Sequence, residues 1–123
     1  MKPCIVLFGV NAMVAAMAQG LFQPQGVTVV VPRKEEYLKP LASFVGEGPV
    51  LSVPAYTGVY PEPVVLLCNL GLQLDRVVDQ LGEIQLGQGV LKAVLTGHNQ
   101  YWNAVMLLEE LRREREAAQK MTK

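Results

Sequence analysis

Ile5-Val6-Leu7-Phe8-Gly9 is an unbroken apolar run closed by a glycine, and its pattern returns as Val64-Val65-Leu66-Leu67-Cys68. A run without polar alternation suits a strand covered on both faces. Outward from the first run, Asn11 reads as a helix N-cap, and Val14, Met17 and Leu21 follow at helical spacing over 12–22, with Gly20 weakening the end. The Gln23-Pro24-Gln25-Gly26 turn then leads into a β-branched strand from Val27 to Val31 that Pro32 stops. Outward from the second run, residues 72–82 place Leu74, Val77, Val78 and Leu81 on one helix face. A longer turn, Glu83 to Gly89, precedes a second apolar strand from Leu91 to Leu95.

A shift of about sixty residues lays Leu7 on Leu67, Val10 on Leu70, Val14 on Leu74, Met17 on Val77 and Leu21 on Leu81, the mark of an internal repeat. The pattern predicts an α/β fold: a mainly parallel, four-stranded sheet built from two repeated βαβ units, with helices packed on it. A single domain over 1–123 is expected, with repeat one over about 4–33 and repeat two over about 64–97. Between them, residues 34–45 read as a helix that Pro40 kinks or splits. Residues 46–63 read as a loop holding Pro49, Pro54, Pro61 and Pro63 together with Tyr56 and Tyr60, in which Val50 to Val53 would supply a fifth, edge strand. The last element is a charged helix over 103–120. Asn103 is its N-cap, Trp102 is placed to staple onto Leu107, and Val105, Leu108 and Leu111 face inward. Its run Arg112-Arg113-Glu114-Arg115-Glu116 predicts a solvated face held by the pairs Glu109–Arg113 and Arg112–Glu116.

Half of the 123 residues are hydrophobic and 18% are charged, which excludes the composition of disorder. Eleven basic and eleven acidic side chains cancel, so no broad positive field is present to neutralise phosphates or anionic lipid; nucleic acid is disfavoured as a partner. No run approaches the ~18 apolar residues that span a bilayer. Met1-Lys2, the apolar run and Ala16-Met17-Ala18 imitate a secretory signal, but Pro3, Gly9 and Asn11 interrupt it and a similar segment recurs mid-chain. A cytoplasmic location and no membrane partner are expected. If the two central strands run parallel, Cys4 and Cys68 sit at opposite ends, about 13 Å apart and too far for a disulfide. Buried free thiols are the expectation.

Thr96-Gly97-His98-Asn99-Gln100-Tyr101-Trp102 resembles a bacterial family, domain of unknown function 3783. There a lysine-bearing strand leads into Thr-x-x-Asn-x-x-Trp and a Leu- and Glu-rich helix. The matching residues are Lys92, Thr96, Asn99, Trp102, Leu107, Leu108, Glu110, Leu111 and Glu114, over about thirty residues from Leu91. Position 103, commonly Thr or Ser in that pattern, is Asn here and still caps a helix. The resemblance implies no activity.

In an open parallel sheet, ligands sit beyond the carboxyl ends of the strands. Gly9, Asn11, Asn69, Thr96, His98 and Asn99 all follow strands, so an all-parallel sheet would gather them at one edge as ligand-binding candidates. Each has a plain structural role as well: Asn11 and Asn69 as N-caps, Gly9, Thr96 and Asn99 as turn residues. His98 is the only histidine and the natural general acid or base, yet no serine or carboxylate stands beside it in sequence. Cys68 alone joins it as a soft ligand, too few for a metal, and no Gly-x-Gly-x-x-Gly or Walker lysine occurs, so no metal and no cofactor is expected. The nearly nonpolar first helix makes Met13, Met17 and Leu21, with Trp102, the interface candidates of a homodimer. The leading expectation is a non-catalytic module that self-associates or binds a ligand or partner. The alternative is a small or degenerate enzyme with a polar crevice around Asn11, Asn69, His98 and Asn99.

Overall fold

The computed structural model describes residues 2–46 and 52–121. Its elements are β1 (Cys4–Phe8), α1 (Ala12–Phe22), β2 (Thr28–Val30), β3 (Val64–Cys68), α2 (Leu74–Leu81), β4 (Leu91–Val94) and α3 (Ala104–Met121). The four strands form one sheet in the order β2-β1-β3-β4. Within each strand–helix–strand unit the pair is parallel, β1 with β2 and β3 with β4, as a crossover helix requires. The two units meet antiparallel, β1 against β3, with Cys4 opposite Cys68 and Phe8 opposite Val64. The sheet is therefore mixed, not mainly parallel.

The physical reason lies in the connection between the units. Residues 34–45 do not form a crossover helix: Pro40 splits them into short 3-10 turns at Lys34–Glu36 and Leu41–Val45. Without a helix to carry the chain back to the starting edge, β3 enters beside β1 in the reverse direction. The suggested edge strand over Val50 to Val53 is not formed at Ser52 and Val53, and Val50 and Leu51 lie outside the described residues.

Central position explains the unbroken apolar runs. All five residues of β1 and all five of β3 are buried, because each strand has a neighbour on both sides and cover on both faces. Ile5, Leu7, Val65 and Leu67 point to one face, where Val14, Ala18 and Phe22 of α1 and Val77 and Leu81 of α2 cover them. Cys4, Val6, Phe8, Val64, Leu66 and Cys68 point to the other, beneath Tyr37, Leu41 and the Ala104, Leu107 and Leu108 stripe of α3. Each fully buried leucine or phenylalanine contributes on the order of 2 kcal/mol of burial free energy. Among the described residues no helix is long and apolar enough to cross a membrane.

Candidate functional site

The Thr96-to-Asn103 stretch is built from its polar side chains upward. Beyond β4, the Leu95 N–H still donates to the Leu67 carbonyl at 2.9 Å, and then the chain turns. Asn99 Oδ1 accepts from the Thr96 N–H at 2.8 Å, Thr96 Oγ1 accepts from the Asn99 N–H at 3.2 Å, and Asn99 Nδ2 donates to the Val94 carbonyl at 3.0 Å. Asn99 is 7% exposed and its amide is committed to backbone, the way short polar side chains build turns. The carbonyls of Gln100 and Trp102 accept from the N–H groups of Ala42 and Leu41 at 2.9 and 2.7 Å, and the Ala104 N–H donates to the Tyr37 carbonyl at 3.0 Å. The turn is thus a clasp that ties β4, the 41–45 turn and α3 together. Asn103 caps α3, its Oδ1 accepting from the Met106 N–H at 2.9 Å, and Trp102 packs on the core that contains Leu107.

What the clasp leaves exposed is modest. His98 is exposed, with its ring edge on Trp102 at 5.4 Å between centroids. A shallow cleft of about 250 Å³ is lined by Asn69, Leu95, Thr96, Gly97 and Gln100. Asn69 does not cap α2, which is entered through a 3-10 turn at Gly71–Gln73; it takes a left-handed conformation with φ of 53° at the end of β3. Among the described residues no group of three His, Cys, Asp or Glu side chains could hold a metal ion. Lys92 donates to the Gly87 and Val90 carbonyls at 2.6 and 3.1 Å and so stitches the turn that precedes β4; burial lowers its pKa.

Gly9 and Asn11 stand at the opposite end of the sheet, because β1 runs against β3 and β4. The expected gathering of Gly9, Asn11, Asn69, Thr96, His98 and Asn99 at one edge therefore does not occur. Asn11 caps α1, its Oδ1 accepting from the Val14 N–H at 2.8 Å. Gly9 is closed in: its N–H donates to the Tyr37 hydroxyl at 2.8 Å, and a Cβ there would lie 2.7 Å from the Glu62 carbonyl oxygen. Phe8, Tyr37 and Tyr60 stack edge to face around it, with Tyr60 donating to the Ala104 carbonyl at 2.8 Å. Burial pushes the Tyr60 hydroxyl far above the usual tyrosine range and that of Tyr37 upward as well.

Glu62 straps this loop to α3. Arg115 binds it at 2.8 and 3.0 Å and Arg112 at 2.8 Å, which together hold its carboxyl below the usual carboxylate range, Arg115 most strongly. The expected Glu109–Arg113 and Arg112–Glu116 pairs are absent among the described residues; Arg113 bonds Glu110 instead. The charged run is therefore partly a latch on Glu62, which lies in a Pro-Glu-Pro stretch whose acidic residue was its one visible signal. The interface candidates also separate. Met13 is 62% exposed, Met17 and Leu21 pack partly onto the helix-covered face, and Trp102 packs on the other face.

The two cysteines are free and buried, as expected, but directly opposed across β1 and β3. A cysteine opens one apolar run and closes the other, so the antiparallel register brings the two together.

Fold and site define a small mixed α/β module with an asparagine-held clasp. Residues 63–117 match the family described as Domain of unknown function (DUF3783), so the chain is similar to that family over β3, α2, β4, the clasp and most of α3. The match spans less than half of the chain and leaves β1, α1 and β2 outside it. No curated protein and no solved structure matches the chain.

Proposed function

We propose that the chain is a non-catalytic, cytoplasmic module that self-associates through the outer face of α1. The observation that carries this reading is the makeup of that face: Ala12, Met13, Ala16, Gln19 and Gly20 are exposed and none is charged. Two copies meeting there about a two-fold axis would bury methyl and thioether groups without desolvating an unpaired charge. Ala12, Ala16 and Gly20 recur every fourth residue, so the helices could approach closely along one stripe. A homodimer formed in this way would cover Met13, a large hydrophobic side chain that is 62% exposed.

Support for two diverged copies of one unit comes from the turns. Gly9 and Asn69 each take a left-handed step after the first strand of a unit, with φ of 70° and 53°. Gly26 and Gln85 do so after the helix, followed by matching hydrogen bonds from Val27 N–H to the Phe22 carbonyl and from Leu86 N–H to the Leu81 carbonyl. The enzyme alternative needs Asn11, Asn69, His98 and Asn99 around one cavity; with Asn11 at the far end and Asn99 bonded to backbone, it has no geometric support.

Light scattering on the purified chain at tens of micromolar tests the self-association. Twice the mass of one chain is expected, and a Met13→Lys variant should scatter as a single chain. A wild type that scatters as a single chain would remove the proposal.

A further inference from the structure

Cys4 and Cys68 are partners in the antiparallel register and point into the same face of the sheet. Directly opposite residues in such a pair have Cα atoms about 4.5–5.5 Å apart. That lies inside the roughly 4.4–6.8 Å window a disulfide needs, without movement of either strand. The Cys4 thiol donates to the Ile5 carbonyl at 3.6 Å and the Cys68 thiol to the Leu66 carbonyl at 3.9 Å. Their surroundings differ. Cys68 is fully buried, whereas Cys4 forms part of the wall of a cleft of about 350 Å³ with Lys2, Thr28, Val30, Phe44 and Val45.

We infer that Cys4 and Cys68 form a thiol–disulfide exchange site, in which Cys4 attacks a small anionic disulfide that enters the cleft and Cys68 resolves the product. The apolar cleft walls admit a compact molecule, and the positive charge of Lys2, which also lines it, favours one that carries carboxylates. The steps balance. The Cys4 thiolate attacks one sulfur of a disulfide RSSR, the Cys4–SR bond forms as the S–S bond breaks, and RS⁻ leaves. The Cys68 thiolate then attacks the Cys4 sulfur and expels the second RS⁻. Two protein thiols and one RSSR become one Cys4–Cys68 disulfide and two RSH, so the two electrons lost by the protein are gained by the small disulfide. Cys4 meets the cleft while Cys68 is fully buried beside it, which orders the two roles.

Oxidised glutathione, added to the native full chain and followed by intact-mass and peptide mass spectrometry, tests the site. The wild type should lose two hydrogen atoms and yield a linked peptide pair containing Cys4 and Cys68. Cys68→Ala should stop at one glutathionyl group on Cys4, and Cys4→Ala should take up none. The wild-type peptide map needs neither variant to fold. Unchanged native thiols that oxidise only after denaturation, a glutathionyl group on Cys68, or disulfides between chains would each overturn the inference.

Discussion

The first and second strand–helix–strand units take the same left-handed step after their first strand, and the surroundings of that step differ completely. At Gly9 the step is sealed by Tyr37, Tyr60 and the Glu62 backbone; at Asn69 it opens onto a shallow cleft beside the clasp. Their helices differ in the same spirit. Ala18 and Phe22 in α1 and Val77 and Leu81 in α2 are the buried pairs, which matches the helices at an offset nearer 59 than 60. On that alignment Ala16 and Gly20 of α1 stand where α2 carries Asp75 and Asp79. The second unit presents a charged helix and a polar turn to solvent, and the first presents an uncharged helix and a filled edge. One architecture can thus keep its core pattern while exchanging which parts face water.

The largest expected effect breaks the comparison at the left-handed step. Gly9→Ala places a methyl against the Glu62 carbonyl in a conformation that disfavours side chains, and should cost about 2–4 kcal/mol in denaturant unfolding followed by the single tryptophan, Trp102. Asn69→Gly relaxes the same step in the second unit and should change stability by less than about 1 kcal/mol. Equal losses at both positions would show that the sealed and open steps are energetically alike.

The two asparagines that follow strands come next. Asn99→Ala strips the clasp of its side-chain bonds to Thr96 and Val94 and leaves backbone groups unpaired, for an expected loss of about 2–3 kcal/mol. Asn11→Ala removes only a helix cap and should cost about 1 kcal/mol, read from the same unfolding curves.

The smallest effect concerns Glu62. Its carboxyl is held below the ordinary value of about 4.3, so its stabilisation is present above that value and fades as the pH falls through the lower folded one. Glu62→Gln should therefore lower the melting temperature slightly at neutral pH and leave it unchanged from wild type in strong acid. High salt should shrink the neutral-pH difference, since Arg112 and Arg115 are both more than a third exposed.

Much of this was legible in the residues. Ile5 to Phe8 and Val64 to Cys68 announce two central strands, Asn11 and Asn103 announce their helices, and Pro40 announces a broken segment. Strand direction was not legible, because periodicity reports burial and not orientation; it depended on whether 34–45 could serve as a crossover. Once β3 is reversed, the candidate site divides, with Gly9 and Asn11 at one end and Asn69, Thr96, His98 and Asn99 at the other. The Asn99 amide could be read as a turn former but not as a buried one, since its partners are backbone atoms of Thr96 and Val94. The Glu62 latch joins residues about fifty apart, a separation that local charge patterns do not encode.

The proposal that the first unit's uncharged helix is the surface where copies meet is tested most directly by sedimentation equilibrium. The wild type is compared with an Ala16→Asp, Gly20→Asp double variant that gives α1 the charges of α2. The wild type should sediment as a dimer and the variant as a monomer with an unfolding midpoint close to that of the wild type. A monomeric wild type, or a variant that remains dimeric, would contradict the account.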